Sequence, residues 1–383
     1  MWGGADYPQA SSYAPLLSYF SSRGINLRLH LGYQGGPSAR SYPMSSWLAE
    51  LKSAIVTPYP NAVVGVAGPN EPDNQGFTYT DGTGGPLGWQ GIVGANNAQA
   101  ALYAGVKADP VLRNIPVDMW PQAFSYSGND AGYWANIGDQ TAHCDRNNIH
   151  DYYAADNYNQ PTYPTNGDIQ VALQRYLINS RQYCNRAGFV TTETGWYTPT
   201  QAGWAGAGAN EYVQARLLLN DLFDHAMLPD NKLVYIFDLR WGTADFSDPG
   251  WGVIHDDGTP KVSGTAIRNL MAILRDTGVD AATFTPGSVS YSLTGMPAAS
   301  GHFVVAKSDG AFDVILWNET PIWKNSTATQ LTIPTSTAIV NLPAGSSGSV
   351  YNPLQGTAPI TTFSNVNQLQ VHLNDSPLII EVQ

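Results

Sequence analysis

Two glutamates carry the chemistry that this sequence offers. Glu71 lies in Ala67-Gly68-Pro69-Asn70-Glu71-Pro72-Asp73, directly after the β-branched run Val63-Val64-Gly65-Val66. Glu193 closes a second such run, Phe189-Val190-Thr191-Thr192-Glu193, and precedes Thr194-Gly195-Trp196-Tyr197. A carboxylate at the C-terminal end of a strand in a βα series projects from the rim where such folds build active sites. Two on one rim can cleave a glycosidic bond: one, protonated, gives its proton to the leaving oxygen, and the other, ionised, attacks the anomeric carbon. Unlike surroundings and mutual repulsion separate the two protonation states. Each glutamate alone reads equally well as a solvated loop carboxylate or a rim ion pair. The two together, on strands three units apart in a βα series, favour catalysis.

The elements that must position them follow from the hydrophobic pattern. Up to about residue 280, short apolar runs at 25–31, 62–67, 115–120, 148–153, 189–193 and 233–239 alternate with amphipathic stretches. This is the pattern of repeated βα units. Trp47, Leu48, Leu51 and Ile55 share one helical face, Val213, Leu217, Leu218, Leu222 and Phe223 another, and Ile267, Leu270, Met271 and Leu274 the last. From about residue 281, short alternating runs are separated by Ser308-Asp309-Gly310, Pro343-Ala344-Gly345 and Asn374-Asp375-Ser376-Pro377. The pattern predicts an α/β fold: a TIM-type (β/α)8 barrel domain over 1–280 and an all-β sandwich over 281–383.

Composition narrows the partners. A hydrophobic share of 43% excludes a disordered chain. Charged residues make up 13%, about half the usual share of roughly 25%. A net charge of −12 repels phosphate backbones, so no nucleic-acid partner is expected, and the paired glutamates point to a carbohydrate substrate. No apolar run reaches the roughly 18–20 residues of a membrane helix, and a monomer is expected. Met1-Trp2-Gly3-Gly4 shows no basic or apolar region of a signal peptide. The uncharged polar surface is nonetheless common in secreted proteins, and an extracellular or periplasmic location is expected. Cys144 and Cys184 precede neighbouring strands of the series, where a disulfide and two buried thiols both remain open. Two cysteines alone build no zinc site. Asp81-Gly82-Thr83-Gly84-Gly85 and Asp256-Asp257-Gly258 are turns rather than calcium loops. No metal or cofactor is expected.

On its Asn-Glu-Pro and Thr-Glu-Thr-Gly segments the chain resembles the retaining glycoside hydrolases of the clan whose (β/α)8 barrels carry glutamates at the ends of strands four and seven. It is most similar to the family 39 and family 5 type β-glycosidases with a small C-terminal β-domain. The resemblance runs nearly the whole length, through Gly252-Val253-Ile254-His255-Asp256-Asp257-Gly258 after the last barrel strand. It implies that Glu71 is the acid/base, Glu193 the nucleophile, and Asn70 the group that holds the sugar's 2-hydroxyl.

The resemblance also brings in further rim residues. His150 falls where strand six should end, and in similar enzymes such a residue bonds the nucleophile or the sugar. It reads as well as a core histidine satisfied by backbone. Tyr152, Trp196 and Trp241 are placed to stack on sugar rings, although a loop Trp packed on its own barrel fits Trp241 almost as well. Arg28 and His30 end the earliest strand, where they could reach a substrate, and Arg28 reads equally well as an outward-facing charge.

The pattern departs from the family in one respect. A closed barrel needs eight βα units, but only six strands are countable, and Asn-Glu-Pro sits on the second of them rather than the fourth. The expectation is a chain without the first two units, leaving the runs at 25–31 and 233–239 as unpaired edges. The sequence thus points to a β-glycosidase working by double displacement. Its rival is a non-catalytic carbohydrate-binding protein on a degenerate barrel.

Overall fold

The computed structural model describes residues 14–31, 43–79, 81–85, 89–123, 137–152, 169–198, 209–240, 250–324 and 327–383. The chain divides into two compact units. One comprises Met1–Asp151, Gln174–Glu193 and Asp230–Val234; the other comprises Tyr152–Leu173, Thr194–Pro229 and Tyr235–Gln383.

In the first unit, helix α1 (Ala14–Ser22) leads into strand β1 (Leu27–His30), and helix α2 (Met44–Glu50) continues as a π-helical turn before β2 (Val63–Ala67). Glu71 and the short helix α3 (Pro72–Gln75) follow, then the two-residue strands β3 (Phe77–Thr78) and β4 (Gly84–Gly85), which pair antiparallel. Helix α4 (Trp89–Ala108) precedes β5 (Val117–Asp118), and β6 (Asn147–His150) comes next. Helix α5 (Ile169–Ser180), divided between the two units, precedes β7 (Phe189–Thr194), and helix α6 (Glu211–Met227) of the second unit precedes β8 (Asn231–Ile236).

Strands β1, β2 and β5 form one parallel set; β6 and β7 pair in parallel, with β8 bonded beside β7. A parallel bridge between Asp118 and Arg146 joins the sets, with the Asp145 amide donating to Val117 O at 2.7 Å and the Met119 amide to Arg146 O at 3.0 Å. The six apolar runs of the sequence thus lie in chain order across one array. Val66, Val117, Met119 and Trp120 are fully buried, as expected of strands covered on both faces. Strand β5 is shorter than its run because Pro116 and Pro121 bracket it and supply no N–H to a ladder.

Polar pairs cross this array inside the core. Asp118 accepts from Arg28 Nε at 2.7 Å and from Arg146 Nη2 at 3.0 Å. Gly65 makes room for them: a Cβ there would lie 2.6 Å from Arg146 Nη2 and 2.8 Å from Asp118 Oδ2. Cys144 and Cys184 are joined in a disulfide with their Cα atoms 6.5 Å apart, across a separation of 40 residues. Closing a loop of that length removes unfolded-state entropy equivalent to about 4 kcal/mol on the chain-entropy model.

The second unit holds α6, helix α7 (Val262–Ile273) and the β-domain. Asn210 caps α6, its side chain accepting from the Val213 amide at 2.9 Å, and Glu211 in the first turn complements the helix dipole. In the β-domain, β9 (Ser292–Thr294), β10 (Ser300–Ala306), β11 (Phe312–Asn318), β14 (Ser336–Tyr351), β15 (Thr361–Leu373) and β16 (Leu378–Val382) form one sheet in the order β10-β11-β16-β14-β15. Strand β9 pairs beside β14, and β12 (Trp323–Lys324) pairs with β13 (Thr329–Gln330) apart from the sheet.

Two expectations change here. The cluster Pro343-Ala344-Gly345 does not end a strand. The runs on either side of it belong to the single strand β14, whose register against β15 shifts between Asn341 and Ser346, with Gly345 at φ +88. A bulge disrupts the ladder only locally and bends the strand. The bend lets the first half of β14 pair with β9 and the second half with β16. One sheet therefore curls around a core of Val314, Leu316, Val340, Leu373 and Ile380, where two separate sheets were expected. Its other face is apolar too: Ile315, Trp317 and Ile379 pack on Leu219 and Phe223 of α6 and Leu270 of α7.

Candidate active site

Glu71 leaves β2 through a clamped turn. The Gly68 amide donates to Gln99 Oε1 at 3.1 Å, and Gln99 Nε2 donates to the carbonyls of Asp118 and His143. A Cβ on Gly68 would lie 2.4 Å from Gln99 Oε1. Glu71 itself adopts the left-handed conformation, φ 41 and ψ 55, immediately before α3. Pro72 disfavours the right-handed region for the residue before it and is well suited to open a helix. A non-glycine residue held left-handed costs on the order of 1–3 kcal/mol, a cost found mainly at functional sites.

Glu193 stands on β7, where the register against β6 shifts so that His150 pairs with Glu193. The Asp151 amide donates to Glu193 O at 3.1 Å. His150 lies between the two carboxylates. Its Nδ1 is 2.7 Å from Glu71 Oε1 and 3.6 Å from Glu193 Oε2. The ring is buried, while the glutamate side chains keep 13% and 17% exposure, enough to meet a substrate. On its far side, His150 Nε2 lies 3.0 Å from Thr192 Oγ1, and that hydroxyl donates to Asn148 Oδ1 at 2.7 Å.

The charges act on both histidines. Burial drives the pKa of His150 down, but the charge of Glu193 and the hydrogen bond and charge of Glu71 outweigh it, and the net shift is upward. Burial holds His30 well below the ordinary histidine value, and the charges of Arg28 and His150 push it the same way. Neutral His30 accepts from Arg28 Nη1 at 2.8 Å. One atom each from Glu71, His150 and Glu193 lie within 4.8 Å of one another, a spacing that suits a divalent cation. Both ring nitrogens of His150 are already engaged in hydrogen bonds, and a cation would have to displace one of them.

The remaining sequence candidates are distributed as follows. Asn70 is half-buried beside Glu71. Arg28 is buried, its guanidinium on Asp118 and His30. In the second unit, Tyr152 packs against Trp251 with ring centroids 5.0 Å apart, and Trp251 also meets Tyr197 at 5.2 Å and Phe237 at 6.0 Å. Trp196 is buried, and its carbonyl accepts from Gln214 Nε2. Trp241 lies outside the described residues. Sequence reasoning passed over Asn148, Thr192 and Trp251. The available signals were polar residues inside apolar strand runs, and a tryptophan at the head of Gly252-Val253-Ile254.

No family model and no curated protein sequence matches the chain. Solved structures do. A family 39 glycoside hydrolase from the gut symbiont Bacteroides cellulosilyticus superposes with a TM-score of 0.59 at 15% identity, over 99% of this chain and 72% of that one. The family 39 enzyme from Xanthomonas axonopodis pv. citri gives 0.51 at 14% identity, over 90% and 74%. The chain has the fold of the family 39 glycoside hydrolases. A glucosidase from Croceicoccus marinus shares it, with a TM-score of 0.60 at 14% identity over 99% and 82% of the two chains. These neighbours are glycosidases whose folds combine a TIM barrel with a β-domain.

Proposed function

We propose that this chain is a retaining β-glycosidase that hydrolyses a poly- or oligosaccharide by double displacement. The observation that carries the reading is a pair of partly exposed glutamates on one side of a buried histidine, with carboxylate oxygens within 4.8 Å of each other. Inverting enzymes hold their carboxyl groups roughly 6.5–9.5 Å apart to admit water between acid and base, and retaining enzymes roughly 5–5.5 Å. The close pair supports retention. The family 39 fold supports the class of reaction.

In this reading Glu193 attacks the anomeric carbon while Glu71 protonates the leaving oxygen. Glu71, now a carboxylate, takes a proton from the water that attacks the glycosyl-enzyme, and Glu193 leaves. Asn70 holds the 2-hydroxyl of the reacting sugar. The Cys144–Cys184 disulfide fits an extracellular or periplasmic location.

The test is a panel of aryl β-glycosides, with the first-formed product anomer read by proton NMR. Hydrolysis with retention is expected. Prompt formation of the inverted anomer would make Glu193 a base, and glycan binding without any turnover would support the binding-protein reading instead.

A further inference from the structure

The hydroxyl of Thr192 has one hydrogen, and it is committed. It points to Asn148 Oδ1 at 2.7 Å, so only its lone pairs remain for His150 Nε2 at 3.0 Å. Nε2 must then carry the hydrogen of that bond. Asn148, Thr192 and His150 are all buried, so no bulk water competes for these positions.

The consequence lies on the other side of the ring. A neutral imidazole beside a carboxylate gains most by placing its hydrogen on the nearer nitrogen, because a charge-assisted N–H···O⁻ bond is about twice as strong as a neutral one. Here the nearer nitrogen is Nδ1, 2.7 Å from Glu71 Oε1. With its hydrogen kept on Nε2, the neutral ring turns a lone pair toward Glu71, and the short contact needs a proton between the two atoms.

We propose that Asn148 and Thr192 are positioning residues that lock the hydrogen of His150 on Nε2, so that His150 Nδ1 and Glu71 share the single proton the acid delivers. The catalytic consequence rests on the reading of Glu71 as the acid; the lock itself is a property of the resting protein. The proton count closes. In the first step the shared proton leaves on the departing oxygen as the glycosidic bond breaks and the bond to Glu193 forms. In the second, water returns a proton to the pair, its oxygen bonds the anomeric carbon, and the bond to Glu193 breaks.

The groups acting on His150 are Glu71, Glu193 on β7, and Arg28 and His30 on β1. The carboxylates hold a proton near the ring, and Arg28 opposes them. Whether that proton sits on Glu71 or on the ring, Nε2 keeps its own hydrogen, because the lock acts on the far nitrogen.

The decisive measurement is histidine nitrogen NMR on the full chain with ¹⁵N-labelled imidazoles, with the His150 signals assigned by their loss in His150→Asn. Above the pH at which the shared proton is lost, the expected neutral ring carries its hydrogen on Nε2. Thr192→Ser keeps that tautomer, and Thr192→Val moves the hydrogen to Nδ1. A parent ring with hydrogen on Nδ1, or a Thr192→Val ring still protonated on Nε2, overturns the proposal. The catalytic arm is read separately. In Thr192→Val, kcat/KM on an alkyl β-glycoside should fall at least about tenfold more than on a dinitrophenyl β-glycoside, whose leaving group needs no acid. Equal losses on both substrates overturn the catalytic part. Absence of turnover in every form defeats the glycosidase reading, while the spectrum still decides the lock.

Discussion

The rim around Glu71 and the curled sheet of the β-domain are built from opposite materials. At the rim, a histidine, a threonine, an asparagine and two glutamates meet within a few ångströms, and one glutamate holds a left-handed backbone. In the sheet, Val314, Leu316, Leu373 and Ile380 fill one side while Ile315, Trp317 and Ile379 fill the other. Apolar packing is non-directional and tolerates exchange of shape for shape. A buried polar chain works only when each hydrogen has one destination. The comparison teaches where changes should register: substitutions at the rim should alter chemistry, and substitutions in the sheet should alter stability.

The strongest way to break that contrast is at Glu193. Glu193→Gln should lower kcat by roughly 10⁴-fold or more, the scale seen when a hydrolase loses its nucleophile. Its melting temperature should stay within a few degrees of the parent's. Steady-state kinetics beside a thermal melt checks both halves, and a large loss of stability with residual activity would make Glu193 a structural residue.

The converse substitution lies beneath the sheet. Phe223 packs with Phe303 and Trp317, at centroid distances of 6.1 and 5.4 Å. Phe223→Ala should cost about 3–5 kcal/mol in a denaturant titration, with kcat per folded molecule unchanged. A matching fall in kcat would show that the two regions are not energetically separable.

A smaller effect sharpens the contrast from within the β-domain, at the buried acid Asp313. Asp313 is pushed up to about 6 by burial, although Lys307 Nζ lies 3.0 Å away and pulls the other way. Its folded value exceeds its unfolded one, so the folded state binds the proton more tightly. This group's contribution to stability is therefore greatest at low pH and declines as pH rises from about 3.8 to about 6. The loss is on the order of 3 kcal/mol at most. Asp313→Asn should flatten the pH dependence of unfolding over that window. An unchanged profile in the variant would mean that Lys307 already neutralises the acid's cost.

Much of this was legible beforehand. The six strands of the array lie on the six apolar runs, because alternation and β-branching act over a few residues and survive any long-range arrangement. The β-domain was legible for the same reason, but its connectivity was not. Proline, alanine and glycine at 343–345 signal a chain reversal, and only the neighbouring strands decide whether such a segment turns or bulges. Arg28 had two readings from sequence, substrate contact or outward charge. Its partner Asp118, 90 residues away, is a third destination that local pattern could not supply.

The sequence by itself determined that two glutamates would end two strands of a βα series, since strand period and the residues after each strand are local properties. The tertiary structure decided what surrounds them. His150 meets Glu71 across 79 residues of chain, and Thr192 meets Asn148 across 44. Such contacts depend on which strands become neighbours and in what register, and a one-residue shift between β6 and β7 would pair different side chains. Register is set by the packing of the whole array, so the proton's path near Glu71 is a property of the fold and not of any segment of the chain.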